Sequence, residues 1–339
     1  MNLTRRRFGG IALATVAASS VFNKNVFAQA APTRMKFGSQ FPAAHPAASR
    51  MVEACEEIKK ETGGNIDITV FPNTQLGGEA EMLSQLRSGA LEFMTTSGAV
   101  MQTLVPVAGI NAVPFAFKDY AEVWAAMDGD LGAHVRSAVE PRGIHLFPRS
   151  LDNGFRNITT STKPIEKVDD LKNLKIRVPP APLWISMFKA LGASPTSISL
   201  AELYSALQTK IVDGQENPLV QIETVKIYEV QKYCSMTGHV WDGNWVVANG
   251  KRWNALPEDV RKLISARFDA AALKQREDVA RMNTELETSL KQKGLIFNYP
   301  DKAQFRDALT KAGFYAEWKQ KYGAEPWSKL EKYAGALGA

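Results

Sequence analysis

MKFGSQFPAAHPAASRMVEACEEIKKETGGNIDITVFP, residues 35–72, indicates the fold class of this chain. Residues 35–41 and 65–72 have the alternation and the β-branched or aromatic content of strands, and residues 48–64 form a helical pattern that ends in two glycines. A strand, a helix and a second strand in this order are the beginning of a parallel sheet. We therefore expect an α/β protein.

The alternation of strands and helices continues towards the C-terminus. Residues 76–89 predict a turn and a helix, and residues 90–98 predict a short strand that ends at Ser97. Because ligands of open α/β sheets bind at the carboxyl ends of the strands, the end of this strand is a candidate binding edge. After a helix over residues 120–139, strands at 144–150 and 155–161 begin a second unit.

A chain of 339 residues is long enough for two domains that each bury a core. We expect domain I to comprise residues 31–153 plus about 242–281. Domain II then comprises residues 154–241 plus about 282–339, including the C-terminal helices. Residues 257–293 have apolar positions at helical spacing throughout, which predicts one long helix that spans both domains.

The N-terminus has the pattern of an export signal. Arg5, Arg6 and Arg7 precede Phe8, a short apolar run follows, and Ala28 to Ala30 form a small-x-small cleavage site. We predict that residues 1–30 are a signal peptide of the twin-arginine type and that the protein reaches the periplasm, with the general secretion route as an alternative. The apolar run is too short to span a membrane.

The charge and the motifs exclude several classes of function. Without residues 1–30 the chain has 37 basic and 35 acidic residues. The sequence lacks a basic stripe interleaved with aromatic residues, which is the pattern that would indicate nucleic-acid binding. Motifs for a catalytic nucleophile, a dinucleotide or a nucleotide are absent, and the four histidines lack metal-ligand spacing. We expect no catalytic residue, no metal and no cofactor. Cys55 and Cys234 form one disulfide or remain buried thiols.

Two polar residues stand out in an otherwise apolar region. Arg177 ends the strand pattern KIRV and is followed by Pro179, and Asn217 precedes a proline in DGQENP, residues 213–218. A guanidinium is a planar fork of donors that matches a carboxylate. From these residues alone, an ion pair between Arg177 and a surface carboxylate is the more frequent explanation, and a bound anion is the alternative.

The chain resembles the solute-binding subunits of tripartite ATP-independent periplasmic (TRAP) transporters, of the dicarboxylate-binding type. The stretches that carry the resemblance are FPNTQLGGEAEMLSQLRSGALEF, DDLKNLKIRVP, LGASPTSISLAELYSALQTKIVDGQENP and YEVQKYCSMTGH. The resemblance implies two α/β domains that close over a ligand. It also implies that Arg177 pairs with the ligand carboxylate, that Asn217 contacts the same group and that Arg156, in NGFR, supports them.

The resemblance and the position of each residue add further candidates for the binding site. They are Gln40, Glu79, Ser97 and Leu200 by alignment, His45 in the loop after the first strand, and Trp241 as an aromatic wall. We expect Trp241 to face the ligand rather than Trp184, because a tryptophan within a helix belongs more often to the core. Relatives that bind sialic acids have an acidic residue at the position of Ser97 and an aromatic one at that of Leu200, which this chain lacks.

These features predict a periplasmic receptor that captures a carboxylate, as a monomer, and delivers it to TRAP membrane permease subunits. A small sugar acid such as an aldonate or uronate is the expected ligand. Short-chain dicarboxylates, keto acids and aromatic acids are alternatives, and a periplasmic enzyme without a recognisable motif is the alternative of a different class.

Overall fold

The computed structural model describes residues 32–338. The predicted signal peptide, residues 1–30, lies outside this part of the chain. Within it, no helix is both long enough and apolar enough to cross a membrane.

Residues 32–338 contain one mixed sheet of nine strands. The strands are β1 (Thr33–Gly38), β2 (Ile66–Phe71), β3 (Phe93–Ser97), β4 (Ile144–Thr160), β5 (Lys175–Val178), β6 (Ser194–Ser197), β7 (Gly214–Asn217), β8 (Tyr233–Asn249) and β9 (Ile296–Asn298). Their order is β2-β1-β3-β8-β4-β7-β5-β6, and β9 pairs with β8. Strands β1 to β3 form the first half of the sheet and β5 to β7 the second half.

The same residues contain thirteen α-helices. They are α1 (Pro46–Glu61), α2 (Glu79–Ser88), α3 (Gly98–Met101), α4 (Tyr120–Met127), α5 (Asp130–Val139), α6 (Pro182–Ala190), α7 (Leu200–Gln208), α8 (Leu219–Thr224), α9 (Gly250–Asn254), α10 (Glu258–Gln292), α11 (Lys302–Lys311), α12 (Phe314–Tyr322) and α13 (Ala324–Ala334). Short 3-10 helices occupy Pro106–Ala112, Glu140–Arg142, Val168–Leu171 and Ile227–Glu229. The mixture of sheet and helices confirms the α/β class.

The first β-α-β unit forms as its sequence predicts. Strands β1 and β2 are parallel, and every residue of β1 is paired with a residue of β2. Helix α1 buries Met51, Ala54 and Ile58, and residues 63 and 64 are glycines with positive φ after its last turn. These glycines let the chain reverse from the helix into β2 without steric strain.

Two long strands connect the halves of the sheet. The sequence predicts two separate strands over residues 144–161, but they form one continuous strand, β4, which pairs antiparallel with β8. The C-terminal part of β8 pairs with β3, and the C-terminal part of β4 pairs with β7. The pairing register shifts three times, once between Asp152 and Gly154. Such bulges bend a strand, and the domain boundary predicted at residues 153 and 154 lies at this shift.

The long helix forms as predicted. Helix α10 has 35 residues, a length of about 52 Å, and contacts α1 in the first half as well as α8 beside the second. Gln275 fixes the helix to the bent strand, because its side chain donates to the carbonyl of Asp152 at 2.6 Å and accepts from the N–H of Asp152 at 2.8 Å. The helix is therefore attached where the register of β4 shifts.

Both cysteines are free and buried. Cys55 lies on α1 and Cys234 on β8, in two different apolar clusters. Burial raises the pKa of each thiol. Of the two alternatives left by the sequence, the structure has the buried thiols.

Candidate carboxylate-binding site

One guanidinium nitrogen of Arg177, Nε, is hydrogen-bonded, whereas the two terminal nitrogens have no partner among residues 32–338. Arg177 lies on β5, where Ile176 packs into the core and Pro179 follows the strand. Its Nε donates to the carbonyl of Ile198 at 2.8 Å. Its side chain is only 2% exposed, yet it forms no ion pair with any of residues 32–338. Burial lowers the pKa of Arg177 to about 10. The two terminal nitrogens are therefore available to an anion.

Arg177 faces a cavity of about 460 Å³ between the halves of the sheet. A small enclosed space of about 20 Å³ continues the cavity towards the interior. Gln40, Glu79, Arg177, Pro179 and Leu200 line both of them. The first half of the sheet and α2 supply Gln40 and Glu79, and the region of β5 and α7 supplies the others. The sequence candidates thus meet across the cavity, as expected of a ligand site between two lobes.

Arg156, on β4, is bonded to protein groups through all three of its guanidinium nitrogens. Its guanidinium is bonded to the carboxylates of Glu216 and Asp242, and one terminal nitrogen also donates to Asn217 Oδ1 at 2.9 Å. The guanidinium carbon lies 4.5 Å from the centre of the Trp184 ring. Since Arg156 is buried and paired with two carboxylates, it organises the wall of the site around Arg177.

The ionisation of the carboxylates follows from their contacts with Arg156. Burial alone would raise the pKa of Glu216, but Arg156 and a hydrogen bond from His239 hold it below its ordinary value. The pKa of Asp242 is raised, because burial and the charge of Glu216 outweigh the attraction of Arg156. Glu216 therefore is the firm counter-ion of Arg156, and no such counter-ion is bonded to Arg177.

Asn217 lies where the sequence expects it, at the end of β7. Its Oδ1 accepts from Arg156, and its Nδ2 donates to Gln215 Oε1 at 2.5 Å. It is 1% exposed and lines the small enclosed space together with Arg177. The amide has a second N–H on Nδ2, which can donate to a further acceptor.

Glu79 presents one oxygen to the cavity. Its Oε1 accepts from the Thr96 hydroxyl, from the Ser97 N–H at 2.6 Å and from the Ser97 hydroxyl at 3.0 Å. Its Oε2 has no partner among residues 32–338. Burial raises the pKa of Glu79 to about 7, against the opposing effect of these hydrogen bonds. Ser97 also caps α3 by accepting from Val100 N, so its hydroxyl positions Glu79.

Gln40 also turns an acceptor towards the cavity. Its Nε2 donates to Asn244 Oδ1 at 3.4 Å, which leaves its Oε1 without a partner in the described part of the chain. Gln40 and Glu79 lie together on the wall that faces Arg177. The site therefore has a strong hydrogen-bond donor, Arg177, on one side and two hydrogen-bond acceptors, Glu79 and Gln40, on the other.

His45 and Trp241 do not line the cavity. His45 is the N-cap of α1, where its Nδ1 accepts from Ala47 N and its Nε2 is 3.1 Å from Asn153 Oδ1. Both ring nitrogens are used, and burial lowers the pKa of His45 to about 3. Trp241 donates to Asp152 and packs edge-on against Trp124 in the core. The loop position of His45 suggested a ligand contact, but its ring nitrogens bond to Ala47 N and Asn153 instead.

Several residues of the site have no distinct signal in the sequence. Trp184 lines the enclosed space and stacks on Arg156, although its helical pattern indicates a core residue. Asp242 and Asn153 line the same space, and Asn153 Nδ2 donates to Asp242 Oδ2 at 2.8 Å. Their positions depend on the pairing of β4 with β8. In residues 32–338, no group of three histidine, cysteine or acidic side chains is arranged to hold a metal ion.

Known proteins resemble this chain over nearly its whole length. The model of the bacterial extracellular solute-binding proteins, family 7, matches residues 37–320. The sialic acid-binding periplasmic protein SiaP of Vibrio cholerae is 33% identical, over 94% of this chain and 97% of SiaP. This family consists of receptors that bind carboxylate ligands for TRAP permeases, which confirms the expectation that the chain is not an enzyme.

Solved structures show the same two-domain architecture. A TRAP periplasmic solute-binding protein of Polaromonas sp. JS666, bound to D-erythronate, superposes with a TM-score of 0.85 and is 31% identical, over 90% of this chain and 99% of that one. The sugar acid-binding protein DctPAm of Advenella mimigardefordensis, in complex with galactonate, superposes equally well at 29% identity, over 89% and 98%. The chain therefore belongs to family 7 of the bacterial extracellular solute-binding proteins, the receptors of TRAP transporters.

Proposed function

We propose that this protein is a periplasmic receptor whose ligand is a polyhydroxy monocarboxylate, such as an aldonate or a uronate. The observation that carries the proposal is the asymmetry of the cavity. A buried arginine without a counter-ion, Arg177, lies on one side, and the acceptor oxygens of Glu79 and Gln40 lie on the other.

The ligand carboxylate binds to Arg177 and Asn217. With its Nε fixed by Ile198, the guanidinium presents its two terminal nitrogens as a fork, which a carboxylate accepts with both oxygens. A bound carboxylate also supplies the counter-ion that the buried Arg177 guanidinium lacks in the ligand-free protein. Since burying an unpaired charge is costly, the gain on binding is largest for a full anion.

The other end of the ligand donates hydrogen bonds. Hydroxyl groups satisfy Glu79 Oε2 and Gln40 Oε1, which have no donor among residues 32–338. A short dicarboxylate would place its second negative charge near Glu79, and it would bind there only with the Glu79 carboxyl protonated, because two adjacent carboxylates do not both stay ionised. An aromatic acid or a simple keto acid would leave both acceptors unpaired, which costs about 1–3 kcal/mol for each.

Two of the solved relatives support this class of ligand. The two structures described above contain D-erythronate and galactonate, which are hydroxylated monocarboxylates. We infer that this chain, like its periplasmic relatives, is exported by the predicted signal at residues 1–30. The ligand then holds the two halves together, because it contacts Arg177 on one side and Glu79 on the other and so favours the closed state.

A thermal-shift screen with D-erythronate, D-galactonate, D-galacturonate, succinate and phenylacetate tests the proposal. A ligand at 100 times its Kd adds about 2.7 kcal/mol to the free energy of unfolding, or roughly 4 °C in Tm for a chain of this length. We expect the hydroxylated acids to give such shifts and the Arg177→Ala variant to lose them. The largest shift with succinate, or a shift with phenylacetate that Arg177→Ala abolishes, would contradict the proposed ligand class.

A further inference from the structure

A groove of about 650 Å³, larger than the cavity of about 460 Å³ that Arg177 faces, lies elsewhere in residues 32–338 and does not contain Arg177. Phe155 and Asn157 of β4 line this groove, whereas Arg156 between them lines the carboxylate site. Successive side chains of a strand point to opposite faces of a sheet. The groove therefore lies on the reverse face of the sheet, directly behind Arg156.

The wall of the groove is mainly aromatic and aliphatic. Phe117, Tyr120, Phe155 and Met236 contribute to it, and the Tyr120 and Phe155 rings pack edge-on with centroids 5.3 Å apart. Phe115, also in the wall, has φ = 54°. A bulky residue in this left-handed region is strained, and strain of this kind persists where the surrounding structure imposes it and is frequent at functional sites.

Two cations without an acidic partner lie at one edge of the groove. Lys302 and Arg306 are one turn apart on α11, and neither forms an ion pair with residues 32–338. Lys302 Nζ approaches Gly238 so closely that a Cβ there would lie 2.7 Å from it. Glycine at position 238, with φ = 50°, therefore leaves room for the ammonium group.

The acidic and remaining basic groups at the groove are already paired. Glu287 accepts from Lys291 and from Tyr299, and Lys118 is paired with Glu122. The groove thus has a net positive edge on an apolar wall. A second sugar acid would find few polar partners on this wall, whereas an amphiphilic anion matches both parts.

We propose that this groove is a second binding site, for an aromatic or alkyl monocarboxylate. The carboxylate contacts Lys302 and Arg306, and the apolar part packs against Phe155 and Tyr120. The groove takes its walls from β4, β8, α10 and α11, next to the register shift between Arg156 and Ile158. An occupant contacts the bent strands that join the two halves of the sheet. This site is independent of the proposed sugar-acid function.

Calorimetric titration with phenylacetate tests the second site. We expect binding to the parent protein and to the Arg177→Ala variant with equal Kd. A Lys302→Gln/Arg306→Gln double variant should bind about 10²- to 10⁴-fold more weakly, as the loss of two charge-assisted hydrogen bonds predicts. A Lys251→Gln/Lys311→Gln variant is the matched control, because it removes two exposed charges outside the groove and should bind as the parent does.

A second variant tests the apolar wall. Ala303 lines the groove and is exposed at the start of α11, so Ala303→Trp fills the groove without contacting the carboxylate site, and phenylacetate binding should be lost. Two results would overturn the proposal. One is the absence of binding to the parent at millimolar phenylacetate. The other is binding that Arg177→Ala abolishes and the Lys302/Arg306 double variant retains, which would place phenylacetate in the cavity of Arg177.

Discussion

Replacing Arg177 by alanine removes the fork that we assign to the ligand carboxylate. Nε is held by Ile198, so the two terminal nitrogens make two charge-assisted hydrogen bonds, each worth about 1.5–3 kcal/mol. Their loss amounts to about 3–6 kcal/mol, or roughly 10²- to 10⁴-fold in Kd. Arg177→Lys keeps the charge but loses the planar fork, and we expect it to weaken binding at least about tenfold.

Replacing Arg177 should weaken ligand binding, but it should not lower the stability of the ligand-free protein. Burial lowers the pKa of Arg177 from its ordinary value to about 10, and a tenfold change in an ionisation constant is worth about 1.4 kcal/mol. Because the folded-state pKa of this base is depressed, the charged guanidinium destabilises the folded protein at neutral pH, on the order of 3 kcal/mol. Arg177→Met should therefore leave the ligand-free protein at least as stable as the parent.

Calorimetry with the ligand found by the screen measures the Kd of each variant, and thermal denaturation without ligand measures Tm. Lys175→Ala is the matched control, because Lys175 is exposed on the same strand and should keep both values. A folded Arg177→Ala variant with a Kd within about threefold of the parent would refute the assignment. A large fall in Tm for Arg177→Met would show that the arginine has a structural partner.

Three further substitutions test the rest of the site. Arg156→Met leaves the carboxylates of Glu216 and Asp242 buried without their cation, so we expect a loss of about 3–5 kcal/mol in urea denaturation; an unchanged midpoint would contradict the central role of this arginine. Glu79 has a pKa of about 7, and an ionised carboxylate is the better acceptor for a ligand hydroxyl, so Kd should fall as the pH rises from 6 to 8. Calorimetry across this range should show no such trend for Glu79→Gln, and a trend that persists would assign the titration to another group. His45→Ala removes the N-cap of α1 and should lower the free energy of unfolding by about 1–2 kcal/mol. A change of more than about threefold in the Kd of the ligand would show that His45 contributes to binding.

Much of the fold could be predicted from local patterns. The first β-α-β unit and the long helix α10 follow from the spacing of apolar residues and from the glycines and prolines that end each element. Local patterns could not predict that β4 is one continuous strand, because the alternation of apolar and polar residues is interrupted near Pro148 and Asn153. The strand continues there because β8 pairs with it across the register shifts.

The candidate site was predictable where a residue ends a strand. Arg177, Asn217 and Glu79 have a local signal or a family motif, and the structure places them at one cavity. Trp184 and Trp241 show the limit of this reasoning. Both occur in apolar segments, and only the folded arrangement brings the Trp184 ring to the Arg156 guanidinium, while Trp241 packs in the core.

By itself, the sequence determined the class of the protein and the residues able to bind an anion, because periodicity, turn residues and the chemistry of a guanidinium are local properties. The tertiary structure decided which arginine is available. Arg156 and Arg177 are chemically identical, but the pairing of β4 with β7 and β8 brings Glu216 and Asp242 to Arg156. Arg177 meets only a carbonyl. Whether a charge is neutralised depends on partners tens of residues away in the chain, which only the folded arrangement brings into contact.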